Sequence, residues 1–413
     1  MPHSRHRHLA ALIQKTLHFS PITGIFGHRQ VGKTTLASIL AGNYVTFDQL
    51  PMLNQATVDP EGFLHSHTGS KKPLVIDECQ LAPPLFPALK DWVRVHTKPG
   101  QFLLTGSVRF SSRKAITESL TGRIIAWELL PMDLSEAHEV ALPDSLIRIA
   151  KAKTVEVDLK PKKYFSEKSY AEYLAKGGLP GIFSIRDVAI REQKFETQLN
   201  AMLERDLKLI VATTLPYSSL KLLLTALAQR QSQAIDLTFL SRQTHISVPT
   251  IKKLLMAFES MFLIRILRTE GTEAKSVVFF EDQGEASYLV NGTTDDLTNL
   301  LRFCFANFRV QFKYRSEIKS EFFQYRNRGG AHIPLALHIS FGKGDSPKGD
   351  SLKEKSTLGF VPILGSTPGP HDLASAYSFL KKYSASKILF VTQEDTDRCL
   401  SEKMRVVPIA KLV

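Results

Sequence analysis

An α/β fold with a parallel sheet is what the first 140 residues of this 413-residue sequence predict. A helical region and then an α+β region follow. Three observations carry the prediction. Short apolar runs alternate with segments of helical period. The stretch Gly27–Thr35, "GHRQVGKTT", stands between a predicted strand and a predicted helix. A second apolar run, "PLVIDE", closes on two adjacent carboxylates.

Taken in order, "ITGIFG" reads as a buried strand, "KTTLASILAG" as the helix after it and "NYVTFD" as the next strand. "KKPLVIDE" and "QFLLTGS" are two further strands, separated by the amphipathic "LFPALKDWVRVH". The loop Gly27, His28, Arg29, Gln30, Val31, Gly32, Lys33, Thr34, Thr35 satisfies the spacing G-x-x-x-x-G-K-T. Its glycines let successive amides turn inward onto phosphate oxygens, and the following helix presents its positive end to the same charge. Lys33 is expected to reach the β- and γ-phosphates, and Thr34 to ligate Mg²⁺. Asp77 at the end of the acidic strand is expected to complete the Mg²⁺ shell, and Glu78 to orient or deprotonate an attacking water. Thr105 and Ser107, at the end of "FLLTGS", are small polar groups suited to touching the γ-phosphate or that water. Arg123 in "LTGRI" is a candidate for stabilising transition-state charge, in cis or from a neighbouring subunit.

Residues 141–163, ending "KAKTVEVDLKPKK", read as a basic linker or crossover. Residues 164–270 are mostly helical. Within them "FLSRQTHISVPTIKKLLMAFESMFLIRIL" reads as two short helices and a strand, the pattern of a helix-turn-helix with a wing. Ser247 is placed to cap the second helix, with Pro249 in its first turn. Arg242, Lys252 and Lys253 on these helices are candidates for meeting DNA. From residue 271 to 413 short strands alternate with polar turns, and "FGKGDSPKGDSLKEKS" reads as a mobile loop. His3, His6 and His8 are expected to belong to a disordered basic tail rather than to a metal site.

The formal net charge is +13, most of it beyond residue 140, which suits a polyanionic partner. Three widely spaced cysteines and the lack of a secretory or membrane-spanning apolar run predict a cytoplasmic protein without disulfides.

Together "GHRQVGKTTL", "VIDECQ", "FLLTGS", "ESLTGR" and "ELLPMDLSE" resemble a group of bacterial and archaeal AAA-type ATPases that carry a C-terminal domain of unknown function. "YLAKGGLP" and "MLERDL" resemble the opening of that second domain, and "VVFFEDQG" the strand leading into the last region. The resemblance implies an AAA-type P-loop core, a winged helix and a restriction-endonuclease-like C-terminal fold. It also implies a sensor role for Ser107. His28 stands where the relatives typically have proline. Their nuclease-like carboxylates are missing, since no Asp or Glu lies between Glu321 and Asp345, so nuclease activity is not expected.

The expected function is Mg²⁺-dependent ATP hydrolysis used as a conformational switch on the winged helix and C-terminal region, with nucleic acid as the target. The alternative is a slowly hydrolysing regulator that presents its C-terminal region to a protein partner. Homo-oligomers are compatible with either.

Overall fold

The computed structural model describes residues 5–40, 42–109, 119–271, 275–342 and 355–413. His3 and most of the loop expected near residues 341–356 lie outside them. Helix α1 (Leu9–Leu17) precedes β1 (Ile22–Gly27), α2 (Lys33–Leu40) and β2 (Asn43–Thr46). After α3 (Leu50–Val58) and α4 (Pro60–His67) come β3 (Leu74–Asp77), α5 (Leu85–Val95), β4 (Phe102–Gly106) and β5 (Ile124–Leu129). The five strands form one wholly parallel sheet in the order β2-β3-β4-β1-β5. Strands β1, β3 and β4 are buried along their whole length, which is why they read as unbroken apolar runs. Because every strand points the same way, the residues after β1, β3 and β4 emerge along one edge, where such sheets bind ligands.

Residues 141–163 are not a linker. They contain α7 (Ser145–Lys151), which follows the short α6 (Leu134–Ala137), and Leu146 and Ile149 of α7 are fully buried. Lys162 N donates to Ala410 O, so the lysines sit on a segment pinned to the far end of the chain. The basic composition concealed an apolar face.

The second region begins with α8 (Glu167–Lys176), short α9 (Pro180–Phe183) and α10 (Val188–Ala201), which runs into a π-helical turn at Met202–Asp206. Helices α11 (Tyr217–Gln229), α12 (Leu237–Thr244) and α13 (Val248–Ser260) then lead into β6 (Ile264–Leu267). Ser247 caps α13 through Thr250 N. Strand β6 pairs antiparallel with β8 (Val277–Phe280), and α14 (Gln283–Leu289) packs back on α8. Between β6 and β8, β7 (Thr269–Gly271) leaves this region to join the last sheet.

That sheet has seven strands, adding β9 (Ile318–Arg326), β10 (His332–Phe341), β11 (Lys355–Pro362), β12 (Ser386–Thr392), β13 (Arg398–Ser401) and β14 (Met404–Pro408). The 18-residue α15 (Asp296–Lys313) and α7 cover one face. Helix α16 (Pro370–Lys382) covers the other. Helix α15 was not expected from the sequence. It is buried without interruption from Leu300 to Phe312, and the polar Arg302, Asn307, Arg309 and Gln311 are buried with the apolar residues.

Candidate functional site

The loop after β1 takes the shape its spacing demands. Gln30 and Gly32 have φ of 60° and 100°, in the left-handed region that turns amides toward the enclosed side. At Gly27 a methyl group would run into the carbonyl of Leu129 on the neighbouring strand. Lys33 Nζ donates to Gly27 O at 3.0 Å and His28 O at 2.9 Å, folding the side chain over the loop. Burial pushes the Lys33 ammonium below the usual lysine range, although Glu78 and Asp77 oppose the shift.

Asp77 is the most heavily bonded group at the sheet edge. Its Oδ2 accepts from Thr34 Oγ1 at 2.7 Å and from the Tyr44 hydroxyl at 2.6 Å. Its Oδ1 accepts from the Thr105 hydroxyl and, at 3.1 Å, from Glu78 N. Glu78 itself has a left-handed backbone, φ 55° and ψ 40°, an uncommon conformation for a non-glycine residue. The conformation turns its carboxylate back toward β4. There Gln80 Nε2 donates to Glu78 Oε2 and, at 3.2 Å, to Ser107 Oγ, which in turn lies 3.3 Å from the same carboxylate.

Lys33, Thr34, Glu78 and Arg29 face a cleft of about 380 Å³. Leu36 and Ile39 of α2, Arg5 and Arg7, and Pro180 and Gly181 at the start of α9 complete its walls. Tyr44, Gln80, Arg7 and α9 escaped the sequence reading. Tyr44 belongs to no motif pattern, Gln80 closes "VIDECQ" without an assigned role, and Pro180–Gly181 is distant in sequence. Gln80, two residues beyond Glu78, carried the one usable signal.

Comparison with known proteins agrees with this geometry. Residues 20–138 match the family described as AAA domain, and residues 167–290 match a domain of unknown function, DUF8612. Residues 20–138 form an AAA domain.

Curated relatives are uncharacterised proteins of Mycobacterium tuberculosis and Mycobacterium bovis, each 26% identical over 264 residues, 63% of this chain and 53% of theirs. The chain thus spans about half the length of the curated relatives it matches. Among solved structures, the Walker-type ATPase of Pyrococcus abyssi is 15% identical with a TM-score of 0.38, covering 68% of this chain and 95% of that one. A RuvB variant of Thermotoga maritima is 15% identical with a TM-score of 0.31, covering 70% and 92%.

Three expectations need correction. Arg123 does not reach the cleft of its own chain. Strand β5 pairs with β1 so that Ile124 lies opposite Ile22 and Leu129 opposite Gly27. Arg123 is therefore at the other end of the sheet, about 20 Å from the loop at the rise of a strand. The imidazole of His28 does not line the cleft either. It is 1% exposed and points into the DUF8612 match, with Nε2 3.0 Å from Glu285 Oε2 on α14. The loop uses only the backbone of His28. Burial alone would depress this imidazole, but the Glu285 carboxylate outweighs it and raises the group above the ordinary histidine range.

The third correction concerns the residues expected as a disordered tail. Arg7 is buried and donates to Val31 O at 2.6 Å, Leu130 O at 2.5 Å and Glu136 Oε2 at 3.1 Å. His8 meets Ser135 Oγ at 2.8 Å, while Arg5 donates to Ala137 O. The arm is ordered because its guanidinium satisfies two carbonyls beside the phosphate loop.

Elsewhere, Arg242, Lys252 and Lys253 are exposed on α12 and α13. No helix among the described residues is long and apolar enough to cross a membrane.

Proposed function

We propose that the AAA domain binds ATP with Mg²⁺ in this cleft and hydrolyses it, and that nucleotide state sets how firmly the DUF8612 match is held. The observation that carries the reading is the Thr34–Asp77 contact of 2.7 Å beside Lys33, with Glu78 one residue on. One hydroxyl and one carboxylate suit Mg²⁺, which takes its other oxygens from phosphates and water. Among the described residues no group of three or more His, Cys, Asp or Glu is placed to hold a metal unaided. Thr34 and Asp77 would hold the ion, which when bound neutralises charge on the phosphates.

The loop amides and Lys33 fix the phosphate chain. Water attacks the γ-phosphorus, the bond to the β-phosphate oxygen breaks with its electron pair remaining on ADP, and Glu78 orients the water and takes its proton. Ser107 and Gln80 set the Glu78 carboxylate, so Ser107 acts on the water through Glu78. Arg123, half-buried at the opposite sheet end, has a role only in an assembly where it faces a neighbour's cleft.

The output side is read from α11 to β8. Three helices followed by an antiparallel strand pair make a winged-helix arrangement, and Arg242, Lys252 and Lys253 give it a cationic surface. Duplex DNA is the proposed target. Strands β10, β11 and β12 contain no Asp or Glu, so the last region has no carboxylates there for a nuclease metal. A second reading, slow hydrolysis in a regulator that engages a protein, is favoured by one contact, the Gln80–Glu78 bond that occupies the base.

The test is ATP turnover with and without duplex DNA, with oligomeric state recorded in the same samples. Lys33→Ala is expected to abolish nucleotide binding, and Glu78→Gln to keep binding while reducing turnover about a hundredfold or more. Equal loss of binding in both variants would refute the role given to Glu78. Turnover indifferent to DNA, with no salt-dependent binding, would refute the DNA target.

A further inference from the structure

The segment "MLERD", Met202–Asp206, forms a π-helical turn at the end of α10, and none of its residues has a part in the scheme above. Single π-turns are rare and concentrate at functional sites. This one makes two contacts with the AAA domain through consecutive residues. Asp206 Oδ2 lies 2.7 Å from Arg29 Nη1 of the phosphate loop. Arg205 Nη2 lies 3.2 Å from Asp48 Oδ1.

The strand order gives these contacts their meaning. Arg29 follows β1 and Asp48 follows β2, which stand three strand spacings apart, about 14 Å. Between them lie β4 and β3, whose C-terminal ends carry Ser107, Thr105, Asp77 and Glu78. A turn touching both flanks therefore runs across the mouth of the crevice on the side of the hydrolytic residues. The two side chains differ in a telling way. Asp206 is 9% exposed and anchors the turn on Arg29, whereas Arg205 is 55% exposed and leans on the equally open Asp48, with Asp206 Oδ1 3.7 Å from its Nε. An exposed pair of that kind is weakly held, so an anion arriving at the crevice competes readily for the guanidinium.

We infer that the turn Met202–Asp206 closes over the nucleotide and that Arg205 is a catalytic residue, supplied in cis, whose guanidinium meets the terminal phosphoryl group in the transition state. The inference rests on the ATPase reading. In the hydrolysis already described, Arg205 exchanges Asp48 for the equatorial phosphoryl oxygens and transfers no proton. Asp206, through Arg29, is a positioning residue. The arrangement gives the DUF8612 match a task that Arg123 cannot perform for its own chain.

The experiment uses the full chain and four variants, Arg205→Ala, Arg205→Lys, Asp206→Asn and Lys33→Ala. It measures kcat, KM for ATP, and affinity for Mg²⁺–ADP with and without aluminium fluoride as the transition-state mimic. Arg205→Ala is expected to lower kcat about a hundredfold or more. It should leave ADP affinity within about twofold and erase the extra affinity conferred by aluminium fluoride. Arg205→Lys should recover part of both, a rescue that a purely structural role would not require. Mixing Arg205→Ala with Lys33→Ala chains should restore nothing, because the arginine acts within its own chain.

Wild-type kcat in Arg205→Ala would overturn the inference, as would parallel loss of plain ADP affinity or recovery on mixing. Lys33→Ala turning over ATP like the wild type, or a wild type without turnover, would instead remove the ATPase reading beneath it.

Discussion

At position 28 an imidazole that is 1% exposed lies 3.0 Å from the Glu285 carboxylate, with Asp282 on the same helix. Gln198 Nε2 donates to the other Glu285 oxygen at 2.6 Å. The folded-state value of His28 is raised above the ordinary 6.5. Its stabilisation is therefore complete below about 6.5 and is lost as pH rises through the folded-state value. Asp282 is pushed up to about 6 by burial and by Glu285, and it also costs stability as pH rises toward that value. The wild-type melting temperature should thus fall between pH 6 and 8.5, more steeply than that of His28→Gln. Parallel curves would show that the pair does not titrate as described. His28→Ala should cost about 3–5 kcal/mol in denaturant unfolding at pH 6, because Glu285 is left buried beside a cavity. None of this was legible at residue level. A histidine in a phosphate loop has no partner within reach in sequence, and Glu285 lies 257 positions on. Asp77, Glu78 and Thr34 were legible because local spacing, not tertiary folding, brings out their chemistry.

Among elements, legibility followed burial pattern. Strands β1, β3 and β4 announced themselves through apolar runs ending in chemistry-bearing residues. Strand β5 carries the mixed burial of a sheet edge and gave no such signal. Helices with one wet face, α5 and α13, were recovered, while α15, wet on neither face, was not. The cost of disturbing α15 is correspondingly high. Phe303 is fully buried against Phe165, Tyr170 and Tyr173, and Phe303→Ala should destabilise the protein by about 3–5 kcal/mol in chemical denaturation. A change below about 1 kcal/mol would mean that α15 is not the core helix described. The basic stretch 141–163 shows the opposite failure, in which charge on one face hid Leu146 and Ile149 on the other.

At the scale of the molecule, the AAA domain, the β6–β8 pair and α15 meet at a cluster of charges. Glu281 takes Arg109 at 2.7 Å, Arg265 at 3.0 Å and also Arg309, while Glu128 takes Arg265 at 2.9 Å and Lys313 at 3.3 Å. Burial pushes the Glu281 carboxyl up, but Arg265, Arg309 and Arg109 outweigh it and hold it at about 2. The stabilisation from Glu281 is present above the usual carboxylate range and is lost only as pH falls through about 2. Glu281→Ala leaves three guanidinium groups without a shared partner. It should cost about 3–5 kcal/mol and separate the melting of the AAA domain from that of the rest, seen as two calorimetric transitions. Retention of one transition at the wild-type temperature would show that this cluster does not join the parts.

Strand β7 has a consequence for anyone dividing the chain. It lies between β6 and β8, yet pairs with β9, and Gly271 packs so close to the Arg326 carbonyl that no larger residue fits. The polypeptide is thus stitched through the neighbouring sheet and back before the match to DUF8612 ends at residue 290. A fragment stopped there keeps the stitch but loses the cloth, exposing β7 and depriving β9 of its edge partner. Fragments 1–290 and 291–413, produced together, should co-purify through this seam, whereas each alone should aggregate.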